Sequence, residues 1–413
     1  MATETSVKVE YIGAHAYNTA LSPVQDPFRH SALANSHNHH HLHPWGKDVL
    51  AGTAEFDALY AEANNRYMYH LWYTPALAPY MATEVLQMVP ISHQLMAHLL
   101  STIKSLLQSG VDAALQSPDG QATLKSIQTI LDDSKLTPGD KIFVRLSATS
   151  TKDSFAVNVP TTKPDPLSPD ADHILRRLLT SGRSVGRLLS LSEHVWASDP
   201  GEAIIVQRWS PDIELAREIR VFCCKGRVTA ISQDVWWEKM GWRDRYSDGF
   251  VPAITAVWDN VKHHLPFDTC TMDVFVTPPS EENTEWKAQI IEFNGFGAHL
   301  NTGSDLFHWV NDHDILYGER PGITVRFVDD WEDTPKETVV DVASGADASE
   351  GVANQPMEHS ADHSVQPEPA EPDWLVLEKK LRQKYHDSSK DKDRLEMEER
   401  TSLPLRGRWC SAY

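Results

Sequence analysis

The chain has few cysteines and no long apolar run. It holds four cysteines in 413 residues, two of them adjacent at Cys223 and Cys224. This number argues against a disulfide framework and predicts a reducing, cytoplasmic compartment. No stretch reaches the roughly 18 apolar residues of a membrane span, so no membrane partner is expected. Residues 1–10 carry Glu4 and Glu10 and no apolar segment, so no secretory signal is predicted.

Positive charge is scarce too. The sequence has 38 Lys and Arg against 58 Asp and Glu, a formal net charge of −20. Residues 329–373 alone contain thirteen acidic residues and one basic residue. Nucleic-acid binding needs a concentrated basic face, and the sequence shows none, so no nucleic-acid partner is expected.

Composition divides the chain into four parts. Residues 1–55 are predicted to be a flexible, His-rich segment, and residues 56–328 a folded domain. The acidic residues 329–373 are predicted to be a disordered linker, and residues 374–413 a helical tail. The cluster at residues 37–43 contains imidazoles that could bind a transition metal. A His-rich surface loop is the favoured interpretation, because metal ligands need rigid support and the neighbouring residues do not predict it.

The folded domain is predicted to be α+β with a mixed sheet. Stretches rich in β-branched and aromatic residues predict strands at residues 141–148, 203–208, 218–224, 227–232, 271–276 and 287–293. Apolar spacing predicts helices at residues 53–72, 92–107, 171–179 and 252–263. Lys225 and Gly226 are predicted to form the tight turn of an antiparallel hairpin.

Two carboxylates lie within strongly apolar strands. Alternation places Glu292 and Asn294 on one face, with Ile291 and Phe293 directed into the core. Asp273 lies about twenty residues upstream, and a hairpin return would set it beside Glu292. Oxygen ligands of this kind suit Mg²⁺. The alternative, solvent-facing carboxylates at strand edges, is less favoured because a buried charge is costly unless it is paired or metal-bound.

Three arginines also have apolar neighbours: Arg145, Arg208 and Arg220. Guanidinium groups could bind triphosphate oxygens, and internal salt bridges with Glu218 or Asp234 are an equally good interpretation for any one of them. The hydroxyl-rich loop at residues 147–154, which includes Ser150, could donate hydrogen bonds to phosphates.

In this order the motifs resemble the cell-division-cycle family of ATP-grasp proteins, which assist assembly of eukaryotic translation initiation factor two. The resemblance covers residues 71–309 and rests on residues 71–92, 144–154, 208–209, 218–222, 231–233, Asp273, 292–294 and 306–309. It implies an ATP-grasp fold in which two α+β subdomains sandwich ATP.

The resemblance also implies roles for individual residues. Arg145 takes the position of the phosphate-contacting lysine and, with Arg220, is the candidate catalytic group. The candidate cofactor-binding residues are Arg145, Ser150, Arg208, Trp209, Ser210, Glu218, Arg220 and Gln233. The implied Mg²⁺ ligands are Asp273, Glu292 and Asn294.

Three departures from the family bear on function. Arg145 replaces a lysine, Ala148 replaces a tryptophan, and Glu292-x-Asn294 replaces Asp-x-Asn. Glu-x-Asn resembles the form in ATP-grasp ligases, so the prediction is an ADP-forming ligase of a natural-product pathway. It would join a carboxylate substrate to an amine or thiol through an acyl phosphate. The alternative is an ATP-binding assembly chaperone whose partner is a translation initiation factor subunit.

Overall fold

The computed structural model describes residues 6–12, 65–133, 136, 139–152, 154, 166–193, 201–234, 240, 242, 249–281, 284–297, 304, 306–307, 309 and 312–328. Within them lie nine strands: β1 (Val7–Ile12), β2 (Val85–Pro90), β3 (Ile142–Leu146), β4 (Ala203–Arg208), β5 (Glu218–Cys224), β6 (Arg227–Gln233), β7 (Cys270–Thr277), β8 (Lys287–Asn294) and β9 (Ile323–Val328). The α-helices are α1 (Tyr69–Trp72), α2 (His93–Ser109), α3 (Val111–Gln116), α4 (Pro118–Asp132), α5 (Ala171–Thr180), α6 (Gly182–Glu193), α7 (Phe250–Val261) and α8 (His313–Leu316). Short 3₁₀ turns cover Pro75–Tyr80, Leu215–Arg217 and Lys262–His264.

The smaller subdomain is a three-stranded antiparallel sheet in the order β2-β4-β3, with helices α2 to α6 around one core. Helices α2 and α5 begin at polar caps. Ser92 accepts a hydrogen bond from the Leu95 amide, and Asp170 accepts one from the His173 amide. Such caps satisfy amides that have no partner within the helix. Leu99 of α2 and Leu178 of α5 are wholly buried in this core.

The larger subdomain is a six-stranded mixed sheet in the order β1-β9-β6-β5-β7-β8. Strand β9 pairs in parallel with both β1 and β6, and the remaining pairs are antiparallel. Helix α7 covers one face, where Phe250, Ile254 and Trp258 share a core with alternate residues of the strands. The opposite face carries a second aromatic cluster near α8 and, beside it, the charged residues described below.

Most of the predicted elements are confirmed, and so is the α+β class with a mixed sheet. Strands β4 and β5 have the predicted bounds, and helices α2, α5 and α7 lie where apolar spacing placed them. The β5–β6 hairpin turns at Lys225 (φ 50°) and Gly226 (φ 74°). Positive φ at both central residues is what a type I′ two-residue hairpin turn requires.

Strand β8 differs from the predicted alternation. A bulge opposite β7 shifts the register between Asp273 and Val274. As a result Ile290 and Phe293 are buried while Ile291 is only half-buried. An extra residue in one strand of an antiparallel pair reverses which side chains face the core, so the expectation for Ile291 is wrong and that for Phe293 is confirmed.

Strand β1 lies within the segment predicted to be flexible. Residues 7–12 form the outer strand of the large sheet, and residues 13–55, with the His cluster at 37–43, lie outside the described residues. The predicted linker at 329–373 and tail at 374–413 also lie outside them. No helix in the described part of the chain is long and apolar enough to cross a membrane.

Candidate functional site

A row of polar residues crosses the large sheet in register, one on each strand. We call it the polar row: Glu10, Arg326, Ser232, Arg220, Asp273 and Glu292. Residues directly opposite one another in neighbouring strands project from the same face of a sheet. All six therefore lie on the face that α7 leaves uncovered.

Arg220 and Asp273 form the centre of the polar row. Arg220 Nε lies 2.8 Å from Asp273 Oδ1, and its Nη2 lies 2.9 Å from Oδ2. The Asn294 side-chain amide also donates to Asp273 Oδ2, at 2.9 Å. Burial alone would lower the pKa of Arg220, but the Asp273 carboxylate raises it, so the guanidinium stays charged. The hairpin return predicted to bring Asp273 beside Glu292 is confirmed.

Arg145 connects the two sheets. It projects from β3 of the small sheet, and its Nη1 donates to Glu292 Oε2 at the edge of the large sheet. Its Nε donates to the Leu146 carbonyl at 3.2 Å, and its guanidinium lies 5.5 Å from the centre of the Tyr69 ring. Burial by itself would raise the pKa of Glu292, but Arg145 above all, with Lys152 and Arg220, lowers it to about 2.

Lys152 is a charged residue of this cluster that the sequence analysis did not select. The Thr151 hydroxyl donates to the Val144 carbonyl at 2.7 Å, and Ser150 bridges to Arg145, so the loop folds back along β3. This places Lys152 Nζ 3.6 Å from Glu218 Oε1, again between the two sheets. A lysine in a hydroxyl-rich loop was the available signal, and it is weak because such loops are common.

Glu218 has an unusual protonation equilibrium. Burial raises its pKa to about 7, nearby Asp234 and Asp273 add to the rise, and Lys152 opposes it. Because the folded-state pKa exceeds the ordinary value of 4.5, folding favours the protonated form. The stability that Glu218 contributes is therefore present at low pH and is lost as the pH rises through about 7.

Glu218→Gln should remove this pH dependence. Relative to wild type, we expect the variant to gain about 1–3 kcal/mol of unfolding free energy between pH 5 and pH 8. Urea unfolding at both pH values measures the difference. Glu214→Gln, an exposed glutamate four positions earlier, should follow the wild-type profile. A Glu218→Gln curve parallel to wild type across this range would contradict the assignment.

Some predicted cofactor-binding residues lie apart from the charged cluster. Arg208 pairs with Glu84 and Asp140, each at 2.8 Å, at the far end of β4 from the site. The Trp209 amide donates to the Lys141 carbonyl at 2.9 Å, and half-buried Ser210 follows it. Their role in binding a cofactor stays a prediction.

Gln233 also lies outside the charged cluster. It is wholly buried, and its side-chain oxygen accepts a hydrogen bond from the Val328 amide at 3.1 Å. This bond joins the ends of β6 and β9. The structure therefore gives Gln233 a packing role, and its contact with a cofactor stays a prediction.

The donor chemistry of the polar row suits a hard divalent cation. Asp273 and Glu292 are directly opposed, and Asn294 lies on the same face. Mg²⁺ binds one or two carboxylates and completes its coordination with phosphate and water. Among the described residues no group of three or more His, Cys, Asp or Glu forms a metal cluster. Any Mg²⁺ site here would therefore need the Asn294 amide or phosphate oxygens beside the two carboxylates.

Comparison with known proteins identifies relatives. Residues 180–353 match the D123 family. A CDC123-like protein of Acanthamoeba polyphaga mimivirus is 25% identical over 208 residues, covering 46% of this chain and 57% of the relative. The chain thus spans little more than half the length of that relative.

Cdc123 of Schizosaccharomyces pombe has a solved structure that is 15% identical, with a TM-score of 0.49, covering 65% of this chain and 98% of that one. A RimK-domain ATP-grasp protein of Sphaerobacter thermophilus is 12% identical, with a TM-score of 0.21, covering 54% of this chain and 66% of that one.

Two α+β subdomains meet at a charged cluster, which is the arrangement that the ATP-grasp resemblance implies. These matches make the chain similar to the D123, or Cdc123, family, with the family match lying over residues 180–353. The family resemblance inferred from the sequence is thereby confirmed.

The ligase prediction is wrong, and so is the assignment as an enzyme. The D123 match over residues 180–353 and the similarity to a CDC123-like protein point away from a ligase. The inference failed because the side-chain oxygens of a Glu-x-Asn motif suit a cation, and suitability for a cation does not imply that a bond is then made. The carboxylate and amine substrates and the natural-product pathway were inferred from the same motif, and nothing in the comparisons supports them.

Proposed function

We propose that this chain is an ATP-binding chaperone that assists the assembly of eukaryotic translation initiation factor two. Similarity to the D123 family and to a CDC123-like protein supports this function. The observation that carries the nucleotide part is the charged cluster between the sheets, where Arg145, Lys152 and Arg220 face Glu218, Asp273 and Glu292. Charges of both signs in one buried place suit a ligand that is itself a polyanion with a bound cation.

Four residues of the cluster, together with Asn294, would then bind the ligand directly. Arg145 and Lys152 would hold phosphate oxygens, while Asp273, Glu292 and Asn294 would hold Mg²⁺. Bound Mg²⁺ would neutralise phosphate charge. Since Arg145 and Lys152 belong to the small subdomain and the carboxylates to the large one, a nucleotide held by both sets would fix the two sheets relative to each other. The translation-factor subunit would then bind a surface outside the cleft whose shape depends on that fixed arrangement.

Mg·ATP should stabilise the folded chain. At a concentration about 100 times its Kd, the expected gain in unfolding free energy is roughly 2.7 kcal/mol, because the ligand binds only the folded state. Thermal or urea unfolding with and without millimolar Mg·ATP measures it. Arg320→Gln, which removes an exposed arginine outside the site, should respond as wild type does. An unchanged transition at millimolar Mg·ATP would refute nucleotide binding.

The partner is tested separately by co-purification with translation initiation factor two subunits. We expect capture of a subunit that strengthens when Mg·ATP is added, and no release of phosphate that depends on an added small acid. Normal ATP binding without capture of any subunit would overturn the chaperone role while leaving the nucleotide site intact.

A further inference from the structure

Arg145 and Glu292 satisfy each other's charge in this structure, yet the proposed function assigns them to different ligands. Arg145 would bind phosphate and Glu292 would bind a cation. Their side chains are mostly buried, with 8% and 14% exposed, so water compensates neither charge well. Arg145 can leave Glu292 only if another anion takes the place of the carboxylate, and Glu292 can leave Arg145 only if another cation takes the place of the guanidinium.

The surroundings keep Arg145 in place when its partner changes. Its Nε is held by the Leu146 carbonyl, and its guanidinium lies over Tyr69. Neither contact takes up Nη1, the terminal nitrogen that donates to Glu292. An exchange therefore requires movement of Glu292 or of the large sheet and does not require Arg145 to reorient.

Lys152 and Glu218 repeat this arrangement across the same junction, at 3.6 Å. In contrast, Arg220 and Asp273 both belong to the large sheet, and their two hydrogen bonds lie within it. The pairs that cross between the sheets are the ones that a change in sheet separation would break.

We propose that Arg145 and Glu292 form an exchangeable pair that makes metal and nucleotide binding mutually dependent. Arg145 exchanges Glu292 for triphosphate oxygens, and Glu292 exchanges Arg145 for a divalent cation. A cation alone leaves Arg145 without a counter-charge, and a triphosphate alone leaves Glu292 without one. Each ligand therefore binds weakly until the other is present. This inference rests on the proposed nucleotide site and adds that the cation and the triphosphate each strengthen the binding of the other there.

Two variants test the exchange in opposite directions. Glu292→Gln leaves Arg145 without its carboxylate, so this variant should bind ATP in EDTA at least tenfold more tightly than wild type. A tenfold change equals about 1.4 kcal/mol. Arg145→Gln leaves Glu292 without its guanidinium, so it should bind Mn²⁺ in the absence of nucleotide at least tenfold more tightly than wild type. Calorimetry measures both affinities, and electron paramagnetic resonance counts the bound Mn²⁺.

Asp312→Asn is the matched control. It removes a carboxylate from Arg326, whose Nη1 and Nη2 lie 2.7 and 2.8 Å from Asp312 on the same face of the sheet and outside the site. It should show neither gain. Arg145→Lys, which keeps the positive charge, should bind Mn²⁺ alone as weakly as wild type does. If Arg145→Gln fails to fold, Glu292→Gln still decides the question.

The outcomes separate this inference from the proposed function. The exchange is supported if wild type binds Mg·ATP, Glu292→Gln binds ATP in EDTA more tightly, and Arg145→Gln binds Mn²⁺ alone more tightly. If wild type binds Mg·ATP but Glu292→Gln does not bind ATP in EDTA more tightly, the exchange is overturned and the proposal of a nucleotide site is unaffected. Wild type that binds Mn²⁺ alone as tightly as Arg145→Gln also overturns it. Wild type that binds no Mg·ATP overturns both.

Discussion

Replacing Arg220 by glutamine should destabilise the protein by about 3–5 kcal/mol at neutral pH. The variant leaves the Asp273 carboxylate, which is 3% exposed, without the guanidinium that donates to both of its oxygens. Asn294 donates one hydrogen bond and carries no charge. Urea unfolding measures the loss, which should shrink as the pH falls because a protonated Asp273 no longer needs a counter-charge.

Arg320→Gln is the control for this prediction. Arg320 also reaches an aspartate through two nitrogens, since its Nε and Nη2 lie 3.1 and 2.7 Å from Asp314 Oδ2. Nearly half of each of these side chains is exposed, so the expected cost is at most about 1 kcal/mol. Equal losses in Arg220→Gln and Arg320→Gln would show that burial does not set the strength of the Arg220–Asp273 pair.

Replacing Trp258 by alanine should cost about 3–5 kcal/mol. Trp258 lies on α7, is 1% exposed, and belongs to the core between that helix and the large sheet. Its Nε1 also donates to the Gly226 carbonyl at 2.9 Å, which ties α7 to the β5–β6 turn. The alanine variant removes the ring, leaves a cavity, and leaves that carbonyl with one donor fewer.

Trp258→Phe separates packing from hydrogen bonding. It keeps most of the ring and loses the Nε1 donor, so its expected cost is about 1–2 kcal/mol. Unfolding free energies of the two variants, measured in urea, give the comparison. Alanine and phenylalanine variants of equal stability would mean that the hydrogen bond, and not the packed ring, anchors the helix.

Local sequence carried most of the information about the individual elements. Strands β4, β5 and β6 are short, rich in β-branched residues and bounded by turns, and those features do not depend on distant contacts. Asp273 and Glu292 were placed together correctly because a hairpin between β7 and β8 is itself a local structure.

Strand pairings and ion pairs between residues far apart in the sequence could not be predicted in this way. Strand β1 pairs with β9 across more than 300 residues, and nothing within residues 7–12 identifies that partner. The arginines were recognised as needing counter-charges, but their partners were not identified. Arg145 binds Glu292, 147 positions away, and Arg220 binds Asp273, whereas Glu218 and Asp234 were the partners considered. The meeting of two sheets sets the Arg145 pair, and the pairing of β5 with β7 sets the Arg220 pair. No local sequence pattern identifies either partner.

The position of β9 between β1 and β6 has a consequence for synthesis of the chain on the ribosome. Residues 7–12 emerge early, yet the strand that hydrogen-bonds to them is residues 323–328. At about 5–20 residues per second, β1 waits about 15–60 s for its partner to be translated. Throughout that interval the unpaired β1 segment can hydrogen-bond to other chains, and the edge of β6 can do so once residues 227–233 have been translated. The large sheet therefore reaches its final strand order only after translation has passed Val328.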